Sequence, residues 1–128
     1  MSLSNSQQIF VQDIARLILR ANSLGVNLTF GEAYRTADQE YLYFQGLTFN
    51  SSKRLVSVPR KSWTMKSNHL RRLAVDFNFF INGSLTYDNK NPLLIELGKY
   101  WEELSPDNRW GGFWKTPDTP HFEKNVKS

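Results

Sequence analysis

Apolar residues recur at helical spacing from the start of the chain. Phe10, Ile14, Leu17, Ile18 and Ala21 share one face, so a first helix is predicted from a cap at Ser4 or Ser6 to about Leu24, with Gly25 as its stop. Val26, Leu28 and Phe30 then alternate with Asn27 and Thr29, as a short strand does. Thr36-Ala37-Asp38-Gln39 has the form of a capping box and opens a second helix ending at Gly46. Inside it, residues 40–46 nearly spell a viral protease site used to remove tags, but their place behind a helix cap marks them as native. Periodicity is poor over residues 47–66, which predicts a long loop with a short strand near Leu55 to Val58. Strict alternation returns from Leu73 to Ile81, a strong strand closed by an Asn82-Gly83 turn. Pro92 follows Asn91 at the first position of a third helix, whose buried face is Leu94, Leu97, Trp101 and Leu104. Pro106-Asp107-Asn108 breaks it, and Trp110 to Glu123 is aromatic and glycine-rich, with short strands expected. The pattern describes one α+β domain over residues 1–128, a small antiparallel sheet with flanking helices.

Composition narrows the chemistry. The 128 residues are 40% hydrophobic and 14% aromatic, enough for a packed core. The absence of cysteine excludes disulfides, iron–sulfur clusters and thiolate zinc sites. No apolar run is long enough for a membrane span, and the polar N-terminus lacks a signal-peptide pattern, so a cytoplasmic product is expected. The net charge of +4 is uneven: residues 53–72 carry seven basic side chains and no acid, against −3 for the remainder. Such a segment attracts a polyanion, either nucleic acid or an anionic cell-wall polymer, or serves only as a solvated loop.

The chain has two histidines, each within seven residues of an aspartate and beside an aromatic strand. Asp76 lies in an apolar strand pattern, where an unpartnered carboxylate is costly. His69 precedes it by seven residues, and His121 sits in Asp118-Thr119-Pro120-His121. His69, His121 and Asp76 have the composition of a three-ligand catalytic zinc site, with Asp118 as a spare acid. The alternative is that each histidine is a packed or capping residue.

These motifs resemble the zinc D-alanyl-D-alanine carboxypeptidase family of the VanY type, which includes phage L-alanyl-D-glutamate endopeptidases used as endolysins. The family's Ser-x-His-x-x-Gly-x-Ala-x-Asp is met by Ser67, His69, Ala74 and Asp76, with Arg72 in place of the glycine. The acid three residues before a histidine is met by Asp118 and His121, and a Tyr-Arg-Thr element by Tyr34-Arg35-Thr36. The resemblance implies the fold shared by these peptidases and the hedgehog signalling domain. It implies a Zn2+ ion on His69, Asp76 and His121, and Asp118 as the base acting on the metal-bound water. It implies Arg35 on a substrate carboxylate or oxyanion, with a surface ion pair to Glu32 as its alternative, and Ser67 in support. Trp110, Phe113 and Trp114 are expected to shape a substrate groove or to pack on the third helix. Glu123 is expected to face solvent, or else to back the metal site.

The implied substrate is the stem peptide of peptidoglycan, cut by a monomeric phage or prophage endolysin that acts on the wall after release. A carboxypeptidase removing terminal D-alanine is the alternative, and a non-enzymatic module binding nucleic acid or protein is a third reading. A positive segment leading into the first histidine motif fits an anionic wall better than nucleic acid, so no nucleic-acid partner is expected.

Overall fold

The computed structural model describes residues 1–127. Helix α1 (Leu3–Ser23) starts one residue after Ser2, whose Oγ accepts from the Asn5 amide, so the cap precedes both expected serines. Its buried stripe is Ser6, Phe10, Asp13, Leu17 and Ala21, while Ile18 turns outward. Asp13 is tolerated there because Ser105 and Asn108 donate to its Oδ2 and the buried Lys124 Nζ lies 4.0 Å away.

Gly25 (φ 78°) turns the chain into β1 (Val26–Phe30). Helix α2 (Ala37–Gln45) is capped by Thr36 Oγ1 and stopped by Gly46 in the left-handed conformation, as the pattern predicts. The expected loop over 47–66 contains two strands rather than one. β2 (Leu47–Phe49) and β3 (Leu55–Ser57) form a separate antiparallel ribbon, with Leu47 opposite Ser57. Three-residue strands are too short to show alternation, and so β2 left no periodic signal.

The central strand is β4 (Ala74–Ile81). One edge takes β1, pairing Phe30 with Phe77 and Val26 with Ile81. The other takes β5 (Ser84–Thr86) beside Phe79 to Ile81 and β7 (His121–Lys124) beside Ala74 to Asp76, and β6 (Asn108–Trp110) pairs beyond β7. Asn82 (φ 51°) and Gly83 (φ 78°) give the doubly left-handed two-residue turn that suits a twisted hairpin, which explains the unexpected β5. Helix α3 (Pro92–Leu104) is capped by Asn91 and buries Leu94, Leu97 and Trp101.

Strand parity separates chemistry from packing. Val75, Phe77 and Phe79 of β4 and Phe122 of β7 join Phe10, Leu17, Leu94, Leu97, Trp101 and Trp110 in one core. Asp76 and its directly paired neighbour His121 occupy the opposite face, together with Glu123. No helix among the described residues is long and apolar enough to cross a membrane.

Candidate metal centre

The β4–β7 register sets Asp76 against His121, and a turn delivers His69. Ser67 Oγ accepts the His69 amide, and the Leu70, Arg71 and Arg72 amides donate to the carbonyls of residues 67, 68 and 69. Arg72 then adopts φ 56°, and the chain enters β4 behind the buried Leu73. This left-handed residue stands where the motif has glycine, which takes such angles without steric cost. The Arg72 guanidinium lies 4.2 Å over the Tyr34 ring, a contact that offsets part of the strain.

Partners behind each ring fix which nitrogen faces inward. His69 Nδ1 is 3.0 Å from the Ala33 carbonyl oxygen, which can only accept, so Nδ1 carries the hydrogen and Nε2 is free. His121 Nε2 donates to Glu123 Oε1 at 2.7 Å, leaving Nδ1 for the centre. His69 Nε2 and His121 Nδ1 then stand 3.3 and 3.1 Å from Asp76 Oδ1. All three donor atoms lie within 4.8 Å of one another. Zinc bonds of 2.0–2.2 Å in tetrahedral geometry need donors about 3.3 Å apart, which the two separations from Asp76 Oδ1 match, so these residues fit a zinc ion. Two imidazoles, each held from behind, and a carboxylate are also the ligand chemistry that zinc takes.

The electrostatics agree with the geometry. Burial disfavours a charged His121, but hydrogen bonds to Asp76 and Glu123 outweigh it and raise the imidazole to about 9. Burial likewise opposes ionisation of Asp76, yet His121 and His69 hold it well below the usual carboxylate range. Glu123, opposed by burial and favoured by His121 and Arg109, is lowered to about 2. Asp118 differs: burial and the charge of Asp76 raise it against the pull of His121.

Asp118 reaches the centre from the loop before β7. Its Oδ2 is 3.9 Å from His121 Nδ1, and its side chain is half-exposed. The Asp118 amide donates to the Gly111 carbonyl, and a Cβ on Gly111 would stand 2.3 Å from the Asp118 carbonyl oxygen. Glycine at 111 is thus a condition for placing Asp118.

Arg35 lies in the cleft wall. Its Nε meets Glu32 at 2.5 Å, its Nη1 meets Glu40 at 2.6 Å and Ser67 Oγ at 3.4 Å, and its guanidinium stacks 4.9 Å over Tyr43. Burial works against the charge, but Glu40 and Glu32 hold Arg35 more firmly protonated than usual. The expected pair with Glu32 exists, as part of a larger clamp rather than a surface contact. Sequence reasoning missed Glu40, which is fully buried and also accepts from Ser62 Oγ. A glutamate in a helix carries no pattern that marks it as buried.

Two expectations need correction. Trp110 does not line the cleft. Its indole is fully buried between Gly98 and Gly112, where added Cβ atoms would fall 2.1 and 2.2 Å from the ring, and its Nε1 donates to the Thr119 carbonyl. The indoles at the cleft are Trp63 and Trp114, the latter 5.2 Å from the His121 ring. Glu123 does not face solvent. It is buried against His121 and held by Arg109 at 2.5 Å. The signal was available, because residues two apart on a strand share a face.

The basic run over 53–72 is not one patch. Lys53 and Arg54 sit at the tip of the β2–β3 ribbon, Arg60 stacks on Phe44 and Trp63, and Arg71 donates to Asn68 and the Val126 carbonyl. Only Lys61 and Lys66 of the seven line the cleft of about 380 Å³ over the centre.

The crystal structure of the Serratia marcescens L-Ala D-Glu endopeptidase ChiX superposes with a TM-score of 0.62 at 24% identity, covering 89% of this chain and 79% of that one. The two share a fold. No match is found among curated proteins. The sequence profile described as D-alanyl-D-alanine carboxypeptidase matches residues 60–124, half of the chain, and includes both histidine motifs. The chain therefore belongs to the D-alanyl-D-alanine carboxypeptidase family of peptidases.

Proposed function

We propose that this protein is a zinc peptidase that cuts the stem peptide of bacterial peptidoglycan, as an L-alanyl-D-glutamate endopeptidase of the endolysin type. The observation that carries the reading is the convergence of His69 Nε2, Asp76 Oδ1 and His121 Nδ1 beside a half-exposed Asp118 whose proton affinity is raised. The fold shared with an L-Ala D-Glu endopeptidase supports the choice of bond. The family description supports the alternative, a D-alanyl-D-alanine carboxypeptidase. We propose the chain as one catalytic domain acting as a monomer, since both cleft walls come from it.

His69, Asp76 and His121 would hold the ion. Bound zinc supplies a water nucleophile at neutral pH and polarises the peptide carbonyl. Asp118 takes the proton released on attack and returns it to the departing amine, a task suited to a carboxylate with a raised pKa. Arg35 presents to the developing oxyanion the one guanidinium nitrogen, Nη2, that Glu32 and Glu40 leave without a carboxylate among the described residues. Ser67 steadies both Arg35 and the His69 backbone.

The test is product identity. Zinc-loaded protein is incubated with purified peptidoglycan and, separately, with a pentapeptide stem, and products are read by mass spectrometry. New peptides beginning with D-glutamate are expected. Free D-alanine with no internal cut selects the carboxypeptidase, and intact substrates in both arms contradict the proposal.

A further inference from the structure

The two walls of the cleft are charged differently. On the sheet wall each charge has a counter-charge: Asp76 with two histidines, Glu123 with Arg109 and His121. Arg35 is held between two carboxylates, so its charge is more than balanced before substrate arrives. Lys61 and Lys66, which also line the cleft, have no carboxylate within 4.0 Å among the described residues, and the Lys61 ammonium lies 5.5 Å from the centre of the Tyr43 ring.

These lysines stand on a fastened segment. The Lys61 and Ser62 amides both donate to the Tyr43 carbonyl, and Ser62 Oγ ties the segment to buried Glu40. Arg60 donates to the Phe44 carbonyl, and the Lys66 amide donates to Thr64 Oγ1. The backbone at Lys61 is thus anchored to α2, and both amines line a cleft whose low-dielectric walls strengthen their field.

We infer that Lys61 and Lys66 form a subsite of the cleft that holds a carboxylate of the peptide substrate. The inference rests on the peptidase reading and adds the residues that hold a carboxylate of the substrate. Lysine suits it: a mobile ammonium on a long stem follows a carboxylate without demanding one bidentate geometry.

Two carboxylates of a stem peptide have the required chemistry, the glutamate α-carboxyl and the C-terminus. The test measures binding, by calorimetry, to the zinc-loaded full-length D118A variant. Three synthetic stem pentapeptides are compared: fully acidic, amidated at the glutamate α-carboxyl, and amidated at the C-terminus. One amidation is expected to weaken binding about five- to tenfold, the range for one or two partly exposed charge pairs. That loss is expected to shrink below about twofold when Lys61→Gln and Lys66→Gln are added, and to diminish in high salt. The sensitive carboxyl identifies the source. Equal affinity for all three peptides, or an amidation penalty that persists without the lysines, overturns the inference. Carboxylate-dependent binding by a wild-type chain that cleaves nothing defeats the peptidase reading and leaves the subsite standing.

Discussion

The sheet wall and the loop wall of the cleft are built in opposite ways. His69, His121 and Glu123 are buried, each with a fixed hydrogen-bond partner; His121 and Glu123 stand on β7, whose register against β4 places them beside Asp76, and His69 on the bonded turn that leads into β4. Lys61, Trp63 and Lys66 are exposed, and Trp63 leaves 75% of its surface to solvent. One wall holds its donor atoms by buried hydrogen bonds, as an ion requires, while the other offers charge and aromatic surface that adapt to a peptide. Changes to the sheet wall should therefore alter chemistry and stability together, and changes to the loop wall recognition alone.

Asp118→Ala gives the largest effect. Hydrolysis is expected to fall 10²- to 10⁴-fold, the usual contribution of a general base, with the thermal midpoint unchanged. A variant within tenfold of wild type would remove Asp118 from the mechanism.

The next effect reads the sheet wall without its ion. In chelator-treated protein the His121 imidazole is raised from 6.5 to about 9. A group with a raised folded-state pKa stabilises fully below its unfolded value and loses that contribution as pH climbs through the folded one. Stability of the metal-free protein should thus fall between pH 6.5 and 9, by on the order of 1–3 kcal/mol, and by less in Glu123→Gln. Urea unfolding at a series of pH values measures it, and a flat or rising profile would contradict the assigned hydrogen bonds.

A smaller effect concerns the turn that delivers His69. Arg72→Gly relieves the φ of 56°, whereas Arg72→Ala keeps the strain and loses the Tyr34 contact. The glycine variant should exceed the alanine variant by about 1 kcal/mol in urea, and equal midpoints would remove strain from the account. The smallest is Trp63→Ala, expected to change stability by under about 0.5 kcal/mol. A larger loss, seen in the same assay, would mean that the loop wall is part of the core.

What was legible in the sequence follows the same division. Long periodic segments announced α1, β4 and α3, because burial of one face imposes a repeat. The histidine and aspartate motifs announced which groups would meet, since strand alternation put Asp76 on the polar face. The ribbon β2–β3 was not legible, being too short to repeat. Trp110 and Trp114 look alike as aromatics of one glycine-containing run, and the Trp110 ring is received between Gly112 and Gly98 of α3, the latter distant in sequence. Glu40 and the Arg35 clamp depend likewise on contacts across the fold. The basic run misled as a unit, since three of its arginines are held by aromatic rings or backbone carbonyls.

Metal content per chain tests the central claim most directly. Purified wild-type, Asp118→Ala and His121→Ala proteins are dialysed against trace zinc and measured by inductively coupled plasma mass spectrometry. About one equivalent is expected in wild type and in Asp118→Ala, and less than a tenth in His121→Ala. Zinc retained by His121→Ala and lost by Asp118→Ala would contradict the division of roles between the three ligands and the free acid.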